Sequence, residues 1–325
     1  MDKSFEVMFY NVENLFDTIN DLQMDDKDYL PTGKREWNTE KYNNKLANIS
    51  KVIHAINNEN IPELIGVCEI ENRAVLKDLL AVSKLNKHAI AHFESPDNRG
   101  IDVALLYDST RFKLIMAKPI YVQLCLNNDY INQLEPSEAL DMLNAFGGSQ
   151  TRNILLVTLL HQQDTYHVLV THFPSRAGGK ERSEVKRIMV AAVLKAEIDR
   201  LQSTYFNAKI IVMGDFNDEP NDKSVHEVLR ACGSDSITHC TLYNPYEALM
   251  KLGEGSYKYQ GNMDMLDQIL VSYSLRLKMG KVSIYQPDWL KQTGQWDGYP
   301  LRTFGGKIYM NGYSDHFPIM ITFTN

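Results

Sequence analysis

Cysteine is scarce in this 325-residue chain: there are four, Cys68, Cys125, Cys232 and Cys240, and no two of them share a C-x-x-C spacing. That disfavours a zinc site or a disulfide framework, and because Cys68 sits inside an apolar strand-like run, reduced thiols are expected. No apolar run approaches the roughly 18 residues that a membrane span needs. The N-terminus, Met1-Asp2-Lys3-Ser4 followed by a strand-like segment, lacks the uninterrupted apolar stretch of a signal peptide, so a cytoplasmic protein is expected. Fixed-period repeats, low-complexity runs and linker-like segments are absent too, and a single domain over residues 1–325 follows as the expectation. There is no excess of positive charge. The net charge of −7 disfavours a broad basic surface for gripping nucleic acid non-specifically and leaves room only for a local one. The acids Asp17, Asp21, Asp25, Asp26 and Asp28 crowd one early loop without the glycine and glutamate of a helix-loop-helix calcium site, and read as a solvated acidic loop.

What the chain does have is 44% hydrophobic and 23% charged residues, the balance of a globular α/β protein. Its most informative stretch is Lys209-Ile-Ile-Val-Met-Gly-Asp-Phe-Asn-Asp-Glu-Pro220. The continuous apolar run predicts a strand covered on both faces, with Gly214 leaving room for a turn. Asp215 and Asn217 stand one residue apart and would point the same way if the extended backbone persisted. By itself this is more plainly an Asx-rich turn closed by Pro220. Repetition changes that reading. Other apolar strands end at Asn11 (with Glu13), Glu69 (with Glu71 on the same face by alternation) and His172, and Ser314-Asp315-His316 precedes the last strand.

Between these lie helices predicted from about Thr39 to Asn57 and from Glu181 to Leu201, the second with Arg182, Lys186 and Arg187 read as solvated surface. A shorter helix is predicted from about Ser224 to Ala231. Asp102 enters an apolar strand and needs a partner. Ser175, Arg176, Gly178, Gly179 and Lys180 after His172 suit an oxyanion, held by backbone N–H groups and cationic side chains. Asp267 opens another apolar strand. Residues 127–150 read as an irregular insertion, and residues 287–312, rich in aromatics, glycine and proline without periodicity, as a long ordered loop of the kind that is often functional.

Oxygen and amide ligands without cysteine suit a hard ion such as Mg²⁺, with Mn²⁺ as a substitute, and two histidines with spare carboxylates supply acid-base groups. The set reads as a phosphoester-cleaving site at the carboxyl ends of strands.

The order Tyr10-Asn11-Val12-Glu13-Asn14, Glu69-Ile-Glu71-Asn72, Arg99-Gly-Ile-Asp102, Thr171-His172, Gly214-Asp215-Phe216-Asn217, Leu266-Asp267 and Ser314-Asp315-His316 resembles the endonuclease/exonuclease/phosphatase superfamily over nearly the whole chain. The Gly-Asp-Phe-Asn and Ser-Asp-His elements are specific together and weak apart. The resemblance implies a four-layer α/β sandwich, two packed, mostly antiparallel β-sheets flanked by helices. It also implies a divalent metal held by Glu69, with Asn11 and Asp315 assisting. Asp215 and Asn217 would position the attacking water and the scissile phosphate, Asp267 would pair with His316, and His172 would stabilise charge on the phosphoryl oxygens with Asp102 orienting it. Either Asp215 or the His316–Asp267 pair would activate the water, and Glu71 is a possible second acid.

Function follows only as far as phosphoester hydrolysis, because one fold serves many substrates. A monomeric nuclease on DNA or RNA is the first expectation, with Arg99, Arg152, Arg176, Lys180 and Arg182 able to line a phosphate-binding groove. A phosphatase or phosphodiesterase on a small molecule or lipid headgroup comes second, in keeping with the acidic balance. A non-catalytic phosphate-binding module comes last, since a pure binder has no use for a His–Asp pair beside a metal site.

Overall fold

The computed structural model describes residues 4–123, 151–233 and 240–324. The expected insertion at 127–150 and Cys125 lie outside them. The strands in chain order are β1 (Phe5–Leu15), β2 (Leu64–Ile70), β3 (His88–His92), β4 (Asp102–Asp108), β5 (Lys113–Ile120), β6 (Ile154–His161), β7 (Asp164–His172) and β8 (Lys209–Asp215). They continue as β9 (Ala231–Cys232), β10 (Leu242–Tyr243), β11 (Tyr257–Tyr259), β12 (Asn262–Asp264), β13 (Asp267–Ser272), β14 (Met279–Ile284), β15 (Phe304–Gly305), β16 (Ile308–Tyr309) and β17 (Ile319–Phe323). The longer helices are α1 (Thr39–Ala55), α2 (Arg73–Val82) and α3 (Lys180–Thr204).

A six-stranded sheet ordered β14-β17-β1-β2-β4-β3 faces a seven-stranded sheet ordered β5-β6-β7-β8-β13-β10-β9. Most neighbours are antiparallel, but β1–β2, β7–β8 and β10–β9 are parallel. The apolar runs are continuous because both faces of each strand are covered, and the period of two sorts them. In β8, Ile211 and Met213 join the core between the sheets, while Ile210 and Val212 join a second core under α3 with its Val190, Leu194 and Ile198. β7 and β13 divide the same way, so at their ends His172, Asp215 and Asp267 inherit the inward face. α1, capped by Asn38 accepting from Lys41 N at 3.0 Å, buries Leu46, Ile49 and Ile53. The layers are those of an α/β sandwich of the deoxyribonuclease I type.

Several local expectations need correction. Gly214 makes no turn: it lies within the β8 ladder, where a Cβ would run into the backbone and side chain of Thr171, so it is needed for close strand packing. The predicted helix after Ser224 is a single π-turn, Ser224–Val228. Arg187 is wholly buried, its Nε 2.7 Å from the equally buried Asp218 and its Nη1 donating to Ser183 Oγ at 2.6 Å. It ties α3 to the turn after β8. The early acidic loop is only partly solvated, because Asp26 is buried. Cys232 and Cys240 form a disulfide with Cα atoms 5.8 Å apart, contrary to the reduced thiols expected, and Cys68 is free and buried. A pair eight residues apart matches no familiar spacing. Among the described residues no helix is long and apolar enough to cross a membrane.

Candidate active site

Three adjacent strands of the larger sheet end on one rung: His172 of β7 pairs with Asp215 of β8, which pairs with Asp267 of β13. Register alone therefore sets an imidazole and two carboxylates side by side at the open edge of the sandwich. The smaller sheet supplies Asn11 and Glu69 from its parallel pair β1–β2, whose register slips between Asn11 and Leu15. Glu13, Asn14 and Glu69 all take positive φ there, at 51°, 55° and 61°. Such an irregularity re-aims side chains. It turns the Glu69 carboxylate inward, where Oε2 accepts from Asn14 N at 3.0 Å and Oε1 lies 3.4 Å from Asn11 Nδ2.

The same irregularity breaks the alternation expected for Glu71. Its carboxylate accepts from Asp17 N at 2.6 Å and is absent from the cleft. Burial, with Asp17, Asp26 and Asp21 nearby, pushes Glu71 up to about 8. Asp102 does not orient His172 either. Its two oxygens take His92 Nε2 at 3.0 Å and Ser95 N at 2.9 Å.

Asn11 Nδ2 donates to Asp215 Oδ2 at 3.0 Å, while Asn11 Oδ1 accepts from Glu13 N. In this orientation the amide bridges Glu69 and Asp215 as a donor. Asn217 takes φ 48°, so the extended backbone does not continue past β8. An Asx turn replaces it, with Asp215 Oδ1 accepting from Asn217 N at 2.8 Å and Asn217 Nδ2 held on Phe173 O at 3.0 Å. His316 Nδ1 lies 2.6 Å from Asp267 Oδ2, and its Nε2 is 3.8 Å from Asp215 Oδ2. His172 Nε2 is 3.6 Å from Asp215 Oδ2 and 4.0 Å from Glu69 Oε1.

The electrostatics separate the two histidines. Burial pushes both down, but the carboxylates of Asp267 and Asp215 outweigh it at His316 and hold that ring well above the usual imidazole range. Around His172, Arg152, Arg99 and His316 add to burial and keep it well below. One ring is thus cationic and the other neutral at pH 7. Asp215 is raised to about 7 by burial and by Asp267, against the pull of His316.

Asp315 reaches the cleft tied to a network that the sequence did not reveal. Arg302 Nη2 lies 2.9 Å from Asp315 Oδ2 and Arg302 Nε 3.3 Å from Glu13 Oε1, while Thr303 N donates to Glu13 Oε2 at 2.7 Å. The buried Lys45 sits 3.8 Å from Glu13 and bonds Thr303 Oγ1 at 2.6 Å. Glu13, at the bulge of β1, anchors the segment that carries Asp315. No local motif could have announced the contacts of Arg302 and Thr303 with Glu13, which lies nearly the whole chain away.

The cleft holds about 560 Å³ and is lined by Glu69, His172, Asp215, Asn217, Asp315 and His316, with the loop from Ser175 to Lys180 as one wall. Arg99, Arg152, Arg176 and Lys180 border it, as do Tyr257, Tyr259 and Asp264. These cations are already partnered. Arg176 lies 3.1 Å from Asp222 and 3.3 Å from Asp264, and Lys180 is 2.6 Å from Asp222. Arg152 is 2.9 Å from Asp97, and Arg99 is 3.5 Å from the same carboxylate.

The donor set fits a hard divalent ion, since the inward groups are carboxylates and the one thiol nearby, Cys68, is sealed in the core. Among the described residues Asp215, Asp267 and His316 present ligand atoms within 4.8 Å of one another. That cluster is better read as a hydrogen-bonded triad, because a protonated imidazole already bonded to Asp267 has no lone pair to give. Glu69, partly open to the cleft, with Asp215 beside it, is the better place for an ion. Asp267 Oδ1 and His172 Nδ1 are buried without a hydrogen-bond partner, which leaves polar capacity at the site unused.

The comparisons agree with this geometry. The model of the Endonuclease/Exonuclease/phosphatase family matches residues 6–134 and 118–325, and the chain belongs to that family, whose members are metal-dependent phosphoester hydrolases. Among solved structures, a humanized D. rerio TDP2 superposes with a TM-score of 0.58 at 14% identity, covering 99% of this chain and 100% of that one. The human nocturnin catalytic domain with a bound sulfate gives 0.57 at 17% identity, covering 100% and 95%. A mannosyl-6-phosphatase of Bacteroides thetaiotaomicron gives 0.59 at 15% identity, covering 98% of each chain. At these identities the likeness is one of fold. No curated protein matches the sequence.

Proposed function

We propose that the protein, acting as one catalytic domain over residues 1–325, is a divalent-metal-dependent phosphodiesterase whose substrate is nucleic acid. The observation that carries this is the convergence of Glu69, Asp215, His172 and His316 on one cleft, with an imidazole on either side of a carboxylate. Glu69 and Asp215 would hold the ion, Mg²⁺ or Mn²⁺, which offsets charge on the phosphoryl group when bound. The chain's own groups do the rest. Asp215 and Asn217 orient a water, Asp215 taking its proton; His172 donates an N–H to a phosphoryl oxygen. His316, fixed by Asp267 through Nδ1, turns Nε2 to the cleft as a charged donor to the same group. Backbone N–H groups of the Ser175–Lys180 loop supply further donors without adding charge.

A second reading, a monoesterase on a small phosphorylated molecule, draws support from the acid partners of Arg176 and Lys180, which leave little free positive charge for a long polyanion. The Cys232–Cys240 disulfide favours an oxidising compartment over the cytoplasm expected from the N-terminus.

The deciding experiment is a substrate panel of plasmid DNA, single-stranded DNA, RNA, inositol phosphates, sphingomyelin and a sugar phosphate, each with Mg²⁺. Release of nucleotides or nicked DNA, with slower turnover of the others, is the expected result. Turnover confined to a phosphomonoester, with binding insensitive to salt, would replace the nuclease reading by the second one.

A further inference from the structure

Next to the phosphate cleft lies a second one of about 760 Å³, and the two share Tyr257, Tyr259 and Asp315 as a common wall. Its own lining includes Trp296, Tyr299, Arg302 and Met310. Two of its aromatic rings are laid open, with Tyr259 56% and Trp296 50% exposed. Exposed aromatic surface lining a concavity beside a reaction centre is costly unless something covers it.

The cleft is held in shape without a ligand. The β11–β12 hairpin makes one side, tethered where Gly261 N donates to Tyr299 OH at 2.6 Å and Lys258 Nζ to Asp297 O at 3.1 Å. The segment from Gln292 to Pro300 makes the other, closed by Gln292 N on Tyr299 O at 2.7 Å and by Gln292 Nε2 on Pro300 O at 2.8 Å. Trp296 meets Tyr299 edge to face with ring centres 5.3 Å apart, and Lys258 stands over the Tyr299 ring at 4.8 Å.

We infer that this cleft is the seat of an unpaired nucleobase, the base of the nucleotide flanking the scissile phosphate, so that the preferred substrate is a single strand or a frayed end. The inference rests on the phosphodiesterase reading above, because Tyr257 and Tyr259 line both this cleft and the one that holds Glu69 and Asp215. The chemistry selects a base. Aromatic faces with Lys258 among them are the pattern of sequence-tolerant stacking on single strands. A base within a duplex is already stacked and paired and would have to be extruded first. Stacking also supplies affinity that the acid-partnered cations of the phosphate cleft do not.

The test is binding of a short phosphorothioate-linked DNA strand, which resists hydrolysis, to the whole protein with Mg²⁺. The strand is used alone, in a blunt duplex with its complement, and with abasic residues in place of its nucleotides. The single strand should bind most tightly, and Trp296→Ala and Tyr259→Ala should each weaken it roughly 5- to 150-fold, the usual worth of one stacked base. The abasic strand should show no such loss, and Trp296→Phe should restore most of the affinity. Equal binding of strand and duplex overturns the inference, as does a loss of the same size with the abasic strand. Competition by mannose 6-phosphate or sphingomyelin vesicles that depends on Trp296, with none by nucleotides, overturns it too. Because binding is read without turnover, nucleic-acid cleavage that survives without this preference refutes the base site alone. Specific strand binding with no cleavage in the panel refutes the phosphodiesterase reading instead.

Discussion

The two adjoining clefts are made differently. In the phosphate cleft the chemistry-bearing groups stand on strand ends, buried, with positions set by ladder register: His172, Asp215 and Asp267 share one rung. The aromatic cleft is made of two short hairpins, β11–β12 and β15–β16, and a loop, and Tyr259 and Trp296 are half-exposed on it. Rigid elements hold reacting groups to small tolerances, while loops vary the shape presented to a substrate. On the proposed reading the first would carry the reaction and the second the choice of substrate, and perturbations of the first should register in turnover or folding.

The largest effect is expected at His316. His316→Ala or Asp267→Ala should lower kcat on the order of 10²–10⁴-fold with little change in KM, the signature of a group needed in the transition state. The double variant should be little worse than the worse single one, and losses that add in log rate would refute the pairing. If the pair were only structural, the melting temperature would fall and activity per folded molecule would survive.

Next comes the wall beneath the phosphate cleft. Asp218→Ala leaves Arg187 as an unpaired buried charge and should cost about 3–5 kcal/mol of stability, seen as a lowered denaturant midpoint. Replacing both by apolar residues of similar volume should cost much less. A smaller change is expected in metal binding by Glu69→Gln, which keeps the shape but removes the charge. Calorimetric titration should show weaker Mg²⁺ binding with the melting curve unaltered, and unchanged affinity would move the ion away from Glu69.

The smallest effect concerns Glu71, outside both clefts. Its folded value of about 8 exceeds the ordinary carboxylate value, so between the two the folded protein binds more protons than the unfolded one. Stability is then fully present at acid pH and is lost as pH rises toward 8. Glu71→Gln should flatten that decline in melting scans across neutral pH, whereas a slope identical to the parent's would show that Glu71 is ionised in the fold.

How much of this was legible in the sequence follows the same division. The Gly-Asp-Phe-Asn and Ser-Asp-His stretches are contiguous, and the apolar runs of β7, β8 and β13 mark strands whose period of two fixes which way their terminal residues face, so the fold and the place of the candidate site could be read from local pattern. The Glu69–Glu71 alternation failed because a positive φ at Glu69 breaks the period of two. Arg187 looked like surface because its partner, Asp218, is distant in sequence. Arg302 and Trp296 lie in a segment without periodicity, and the shape of that segment depends on Glu13 and on the β11–β12 hairpin, both far off along the chain. The Cys232–Cys240 bond escaped notice because a separation of eight matches no familiar cysteine spacing.

The central claim is that a divalent ion at Glu69 and Asp215 is needed for phosphoester hydrolysis in the first cleft. It is tested most directly by turnover of bis-nitrophenyl phosphate in chelator and during back-titration with Mg²⁺, for the parent protein and Glu69→Gln. The account predicts no turnover in chelator, recovery with Mg²⁺, and a higher Mg²⁺ requirement in the variant. Robust turnover in chelator would contradict it.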